Sequence, residues 1–85
     1  MRIEKIIWDE ETVNHISRHG VTPEEVEEVF FNEEDNPFIL RGKEGKYLAY
    51  GQTHSGRYLL VVLAIRYKKT RVITARDLTK KEKKF

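Results

Sequence analysis

Residues 46–77 read KYLAYGQTHSGRYLLVVLAIRYKKTRVITARD, and this stretch decides the fold. It holds runs rich in β-branched and aromatic residues at 46–54, 57–67 and 70–77, separated by Ser55-Gly56 and Lys68-Lys69, the punctuation of antiparallel hairpins. The middle run is apolar from Tyr58 to Ile65 without a break. A strand that does not alternate is covered on both faces, so something must pack on each side of the sheet that it centres.

Upstream, Pro37 opens a strand over roughly 37–42, and residues 2–8 form a first strand through Ile3, Ile6, Ile7 and Trp8. Between them lie two helices. Asp9 caps the first, Glu10 and Glu11 fill its first turn, Val13 and Ile16 face inward, and Gly20 ends it as a left-handed residue. Thr22 and Glu25 have the spacing of a capping box for the second, Pro23 takes its first position, and Val26, Val29 and Phe30 face the core. A short C-terminal helix from Thr79 would cover part of the other face. The expected class is α+β: two N-terminal helices on an antiparallel sheet of about four to five strands, with a short C-terminal helix.

A chain of 85 residues is expected to form one domain over 1–85 that buries only about 60–65% of its unfolded surface. It has no cysteine, which excludes disulfides and thiolate metal sites. No stretch is long and apolar enough to cross a bilayer and residues 1–20 carry charges throughout, so a cytoplasmic location without a membrane partner is expected. The net charge of +2 conceals an asymmetry. Residues 1–40 hold three Lys and Arg against eleven carboxylates, and residues 41–85 hold thirteen against three. The second half is thereby a candidate polyanion surface, with nucleic acid the leading partner.

With two-residue turns in both hairpins, position i opposes 111 − i in the first and 137 − i in the second. Tyr50, Gln52 and His54 would then share a face with Arg57 and Arg76, with His54 across from Arg57, while Arg66 and Arg71 lie on the opposite face. Such a set suits RNA cleavage without a metal. That reaction needs a base for the 2′-hydroxyl, cations for the phosphorane and an acid for the 5′-oxygen. Arg57 and Arg76 fit the cation role, since a guanidinium binds phosphate in a fork and keeps its charge. His54 is the candidate acid or base, because histidine exchanges protons near neutral pH, with Tyr50 as the other candidate. Surface charge for the arginines and a turn residue for His54 are the plain alternatives.

Trp8-Asp9, Arg18-His19-Gly20-Val21, Thr22-Pro23-Glu24-Glu25-Val26 and Val29-Phe30 resemble the opening of the BrnT toxin family. Gly56-Arg57-Tyr58-Leu59-Leu60-Val61-Val62 and Arg71-Val72-Ile73-Thr74-Ala75-Arg76, with Glu82 and Phe85, resemble its second half. The resemblance implies a RelE-like fold and a toxin of a type II toxin–antitoxin system, an endoribonuclease that blocks translation. It also implies a BrnA-type antitoxin that binds DNA as part of the complex, in a dimer or heterotetramer, and places Arg57 and Arg76 at the active site. Thr12 stands where the family commonly has Lys, and the stretch from Trp8 to His19 is one residue short.

Other signals are weaker. His15 and His19 have the i, i+4 spacing of a metal grip but lack a third ligand, so no metal is expected. The glycines match no nucleotide-binding loop, and no cofactor is expected. Arg66, Arg71, Lys80 and Lys81 are candidate RNA contacts. A non-catalytic RNA- or protein-binding module on the same fold is the alternative to an enzyme.

Overall fold

The computed structural model describes residues 3, 5–32 and 36–84. The sequence signals for both helices are used as expected. In α1 (Glu10–Ser17) the Asp9 carboxylate accepts from the Thr12 amide at 2.7 Å. At its far end Gly20 takes φ +71°, and the Val21 amide reaches back to the Ile16 carbonyl at 3.1 Å, tying off the last turn. In α2 (Pro23–Phe31) the capping box closes in both directions, from the Glu25 amide to Thr22 Oγ1 at 3.2 Å and from the Thr22 amide to Glu25 Oε1 at 3.1 Å.

The strands are β1 (Ile6–Ile7), β2 (Phe38–Arg41), β3 (Lys46–Gln52), β4 (Tyr58–Arg66) and β5 (Lys69–Asp77). They form a sheet in the order β1-β5-β4-β3-β2 with β4 at its centre. The α+β class with two helices packed on the sheet stands, with two corrections. The sheet is mixed, because β1 pairs parallel to β5 over Ile6↔Thr70 and Ile7↔Arg71, and only the other pairings are antiparallel. The C-terminal helix from Thr79 does not form; Glu82–Lys84 make a single 3-10 turn. The first strand is also shorter than expected, and Arg2 and Glu4 lie outside the described residues.

Both hairpin registers differ from those expected for Ser55-Gly56 and Lys68-Lys69 turns, the first by one residue and the second by two at its turn and by one beyond a bulge. Gln52 opposes Tyr58, and the Thr53 amide donates to the Arg57 carbonyl at 2.8 Å, so the loop is His54-Ser55-Gly56 with Gly56 at φ +93°. The Thr53 hydroxyl, buried, accepts from the Arg57 amide at 3.1 Å and holds this three-residue loop closed. In the second hairpin Arg66 opposes Lys69, and the turn is Tyr67-Lys68, both with positive φ (52° and 64°), the primed turn that matches strand twist. Further along, Val62↔Thr74 gives way to Leu63↔Val72, leaving Ile73 as an unpaired bulge residue.

These registers sort the side chains. Ala49, Leu59, Val61, Leu63, Val72 and Ala75 form the buried face, closed over by Ile16, Val21, Val26 and Val29 of the helical layer. The other face carries Leu48, Tyr50, Tyr58, Leu60, Val62, Thr74 and Arg76, and most of it stays accessible. Burying the apolar side chains of the first set, at about 1.5–3 kcal/mol each for the larger ones, is the main driving force for assembly.

Candidate functional site

The register change divides the four candidate catalytic residues. Tyr50 opposes Leu60 and Leu60 opposes Arg76, so Tyr50 and Arg76 lie in one row on the open face, about 10 Å apart across two strand spacings. Arg57 follows the parity of the buried face and lies on the helix side of the sheet. His54 sits in the loop, exposed, on that same side, where its amide donates to Glu28 Oε1 of α2 at 3.0 Å. The single surface expected for His54, Arg57, Tyr50 and Arg76 does not exist. The physical reason is the left-handed conformation at Gly56, which makes the loop three residues long and turns the side chains of β4 over.

Every N–H of the Arg57 guanidinium has a protein acceptor. Nε donates to Asp77 Oδ1 at 2.6 Å and Nη2 to Asp77 Oδ2 at 3.0 Å, a bidentate fork. Nη1 donates to the Gly20 carbonyl at 2.7 Å and to Glu25 Oε2 at 3.2 Å, and Nη2 also reaches the His19 carbonyl at 3.3 Å. A guanidinium has five N–H donors, and these contacts use all of them. The hydrogen bond to Asp77 is the largest cause of a raised Arg57 pKa; burial opposes it, and Glu25 adds to the rise. Asp77 is lowered in turn, chiefly by its hydrogen bond from Arg57. Arg57 is thereby a clasp joining the end of α1, the cap of α2 and the end of β5. The Glu25 carboxylate is in place because the capping box puts it there.

Arg76 is differently placed. Nη1 and Nη2 donate to Glu82 Oε1 and Oε2 at 2.7 and 2.8 Å, and Nη1 donates to the Asp77 carbonyl at 3.0 Å. Glu82 is itself held by the Thr79 amide at 2.9 Å, and its own amide donates to Thr79 Oγ1 at 3.3 Å. Its carboxyl falls to about 2, mainly through the hydrogen bond from Arg76 and next through that from Thr79. Among the described residues, Nε–H and one Nη2–H of Arg76 have no acceptor. These form the side-on fork of the guanidinium, aimed away from Glu82, and can hold two oxygens of one phosphate. Tyr50 faces Arg76 across Leu60, close enough to contribute to the raised Arg76 pKa, for which the Glu82 hydrogen bond is the largest cause.

The candidate RNA contacts partly extend this face. Arg66 opposes Lys69 and Ala64 opposes Arg71, which after the bulge places Arg66, Lys69 and Arg71 on the same side as Arg76. Here too the outcome corrects the expectation, which set Arg66 and Arg71 on the opposite face. Arg71 lies loosely against Asp9 at 3.9 Å. Lys80 and Lys81 are exposed beyond β5, and the neighbouring Lys83 ammonium lies 5.7 Å from the centre of the Tyr58 ring. The partners that define these sites go beyond those expected from sequence: Asp77 and Glu25 for Arg57, Glu82 for Arg76, and Thr74 for His15, whose Nε2 lies 3.0 Å from Thr74 Oγ1. The Thr79-to-Glu82 spacing was a readable signal, since it repeats the capping pattern of Thr22 and Glu25.

No helix among the described residues is long and apolar enough to cross a membrane. Compared with curated proteins, the chain matches none. Residues 8–82 match the family model described as "Ribonuclease toxin, BrnT, of type II toxin-antitoxin system", a span that contains both arginine sites and all the elements from α1 to β5. With nearly the full length matched, the chain belongs to the BrnT family, the ribonuclease toxins of type II toxin–antitoxin systems, a family that implies an RNA target and an antitoxin partner.

Proposed function

We propose that this toxin is a metal-independent endoribonuclease that cuts RNA, inhibits translation in the cytoplasm, and works on the open face of its sheet around Arg76 and Tyr50. The observation that supports this reading above others is the donor arrangement of Arg76. Glu82 fixes the guanidinium end-on, and the side-on fork remains for a phosphodiester. A guanidinium held in advance can stabilise the negative charge that develops on the phosphorane without reorganising at the moment of reaction. Tyr50 lies in the same row and is proposed to supply the proton for the departing 5′-oxygen. Arg66, Lys69 and Arg71 continue the positive face and are proposed to track the RNA backbone, with Lys80 and Lys81 extending it. The proposed partner is a BrnA-like antitoxin, the complex of the two binding DNA.

Purified protein incubated with single-stranded RNA in EDTA is expected to yield fragments ending in 2′,3′-cyclic phosphate. Arg76→Ala is expected to slow cleavage by roughly 10²-fold or more, the scale of losing one transition-state donor. RNA left intact by the parent protein would replace the enzyme with a non-catalytic binding module.

A further inference from the structure

The histidine expected to act as acid or base, His54, lies on the helix side and not on the open face. A different imidazole reaches it. Among the described residues, β1 pairs with only Thr70 and Arg71 of the outer edge of β5, and α1 packs against β5. From α1, Ile16 enters the core with no exposed surface, while His15 stays exposed and brings Nε2 to 3.0 Å from Thr74 Oγ1. Thr74 opposes Val62 and Arg76 opposes Leu60, so both project onto the open face, about 7 Å apart at the strand rise. The unpaired Ile73 falls where β5 meets α1, and bulges of this kind recur where a strand must re-aim side chains beside an active site.

Ile73 lines a groove with Glu11, Thr12, Asn14, His15 and Arg18. Its volume of about 440 Å³ falls within the range of ligand sites. Its walls combine a cation, a carboxylate, an amide, an imidazole and one exposed apolar side chain, the set needed to seat a base and a phosphate together.

We infer that this groove seats the nucleotide on the 5′ side of the scissile phosphate and that His15 takes the proton from its 2′-hydroxyl. The inference rests on the nuclease reading of the open face. In the tautomer that donates Nε2–H to Thr74 Oγ1, across the 3.0 Å contact, Nδ1 carries the lone pair that accepts the proton. The 2′-oxygen then bonds to phosphorus as the bond from phosphorus to the 5′-oxygen breaks. The 5′-oxygen takes its proton from Tyr50, and exchange with water returns His15 and Tyr50 to their starting states. Arg76 holds the phosphate throughout, Arg18 faces its neighbour, and Ile73 lies against the base. Products are a 2′,3′-cyclic phosphate and a 5′-hydroxyl, with no co-reactant consumed.

The test has a cleavage arm and a binding arm. In the first, His15→Ala is expected to cut mixed-sequence RNA at least roughly 100-fold more slowly than the parent, the scale of general acid–base catalysis, with partial recovery when free imidazole is added. His15→Asn, which keeps a hydrogen-bonding group toward Thr74, is expected to be as slow. Cleavage by His15→Ala at the parent's rate overturns the inference while leaving the nuclease reading intact. In the second, the His15 ring resonances of the parent protein are followed by NMR as the all-2′-deoxy form of the same RNA, which cannot be cleaved, is added. Saturable shifts at His15 are expected, and unmoved ring resonances overturn the groove. If the parent cuts nothing, the nuclease reading falls and the binding arm alone decides the groove.

Discussion

Arg57 and Arg76 stand on opposite faces of one sheet and bind different carboxylates, Asp77 with Glu25 for the first and Glu82 for the second. The expected hairpin parity places both on one face. One loop residue in the left-handed region separates their fates. Arg57, with every donor occupied, holds α1, α2 and β5 together, and Arg76 keeps a fork without an acceptor among the described residues.

That difference makes Arg57 a determinant of stability. Arg57→Ala removes a clasp, leaves Asp77 and the Gly20 carbonyl without their arginine donor, and leaves Glu25 with its capping-box bonds alone. The expected loss is about 1.5–3 kcal/mol, the range for hydrogen bonds to charged groups, and toward its lower end because the Asp77 side chain is 59% exposed. Arg57→Lys should recover little, since an ammonium cannot make the fork to Asp77. Urea denaturation with an unchanged slope checks both. An Arg57→Ala protein that unfolds like the parent yet no longer cuts RNA would return this residue to the active site.

Acid should loosen the Arg76 site through Glu82. Its folded carboxyl lies at about 2 against an ordinary 4.5, so the unfolded chain binds the proton more readily and stability rises with pH across this interval. The contribution is complete above pH 4.5 and disappears as pH falls toward about 2. Asp77, also lowered by its arginine, acts in the same direction below its ordinary 3.8. Thermal melts between these limits should show Glu82→Gln with a shallower pH dependence than the parent. Parallel curves for the two proteins count against a Glu82–Arg76 pair in solution.

Much of this fold was legible because its signals are local. Thr22, Pro23 and Glu25 specify a helix start within one turn, and the unbroken run from Tyr58 to Ile65 specifies a central strand. The grouping of Tyr50 with Arg76 was also legible, since the one-residue slip of the first hairpin and the net one-residue slip of the second beyond its bulge cancel between β3 and β5. The placement of Arg57 and His54 was not. It depends on whether Thr53 or His54 closes the loop, and that follows from the left-handed Gly56 together with the buried Thr53 hydroxyl that holds the Arg57 amide. The His15–Thr74 contact was beyond sequence reading because it joins residues 59 positions apart through a helix laid along a strand edge.

The second hairpin offers a stabilising change. Tyr67 and Lys68 hold φ of 52° and 64° without being glycine or asparagine, a conformation that L side chains adopt at a cost. Tyr67 is 95% exposed, so replacing it gives up no packing. Tyr67→Asn with Lys68→Gly should raise the unfolding free energy by about 0.5–1 kcal/mol, because Asn-Gly favours this turn. A midpoint at or below the parent's in urea would contradict a primed turn here.

Gly51 sets how closely α2 approaches the sheet. A methyl group added there would lie 2.6 Å from Val29 Cγ1 and 3.2 Å from Pro37 Cβ, and the nearer contact is too short for any real carbon pair. Val29 is buried in the core, so it cannot simply swing into solvent. Gly51→Ala should therefore push α2 outward and destabilise by about 1–3 kcal/mol, the cost of overpacking. The displacement should reach Glu25 and Glu28, which α2 presents to Arg57 and to the His54 amide, and it should appear as faster amide exchange at the Arg57 loop. Because one added methyl meets one existing methyl, Gly51→Ala combined with Val29→Ala should be less destabilised than the two single changes added together, by roughly 0.5 kcal/mol or more. Strict additivity would mean that the close approach of Gly51 and Val29 does not set the position of the helix.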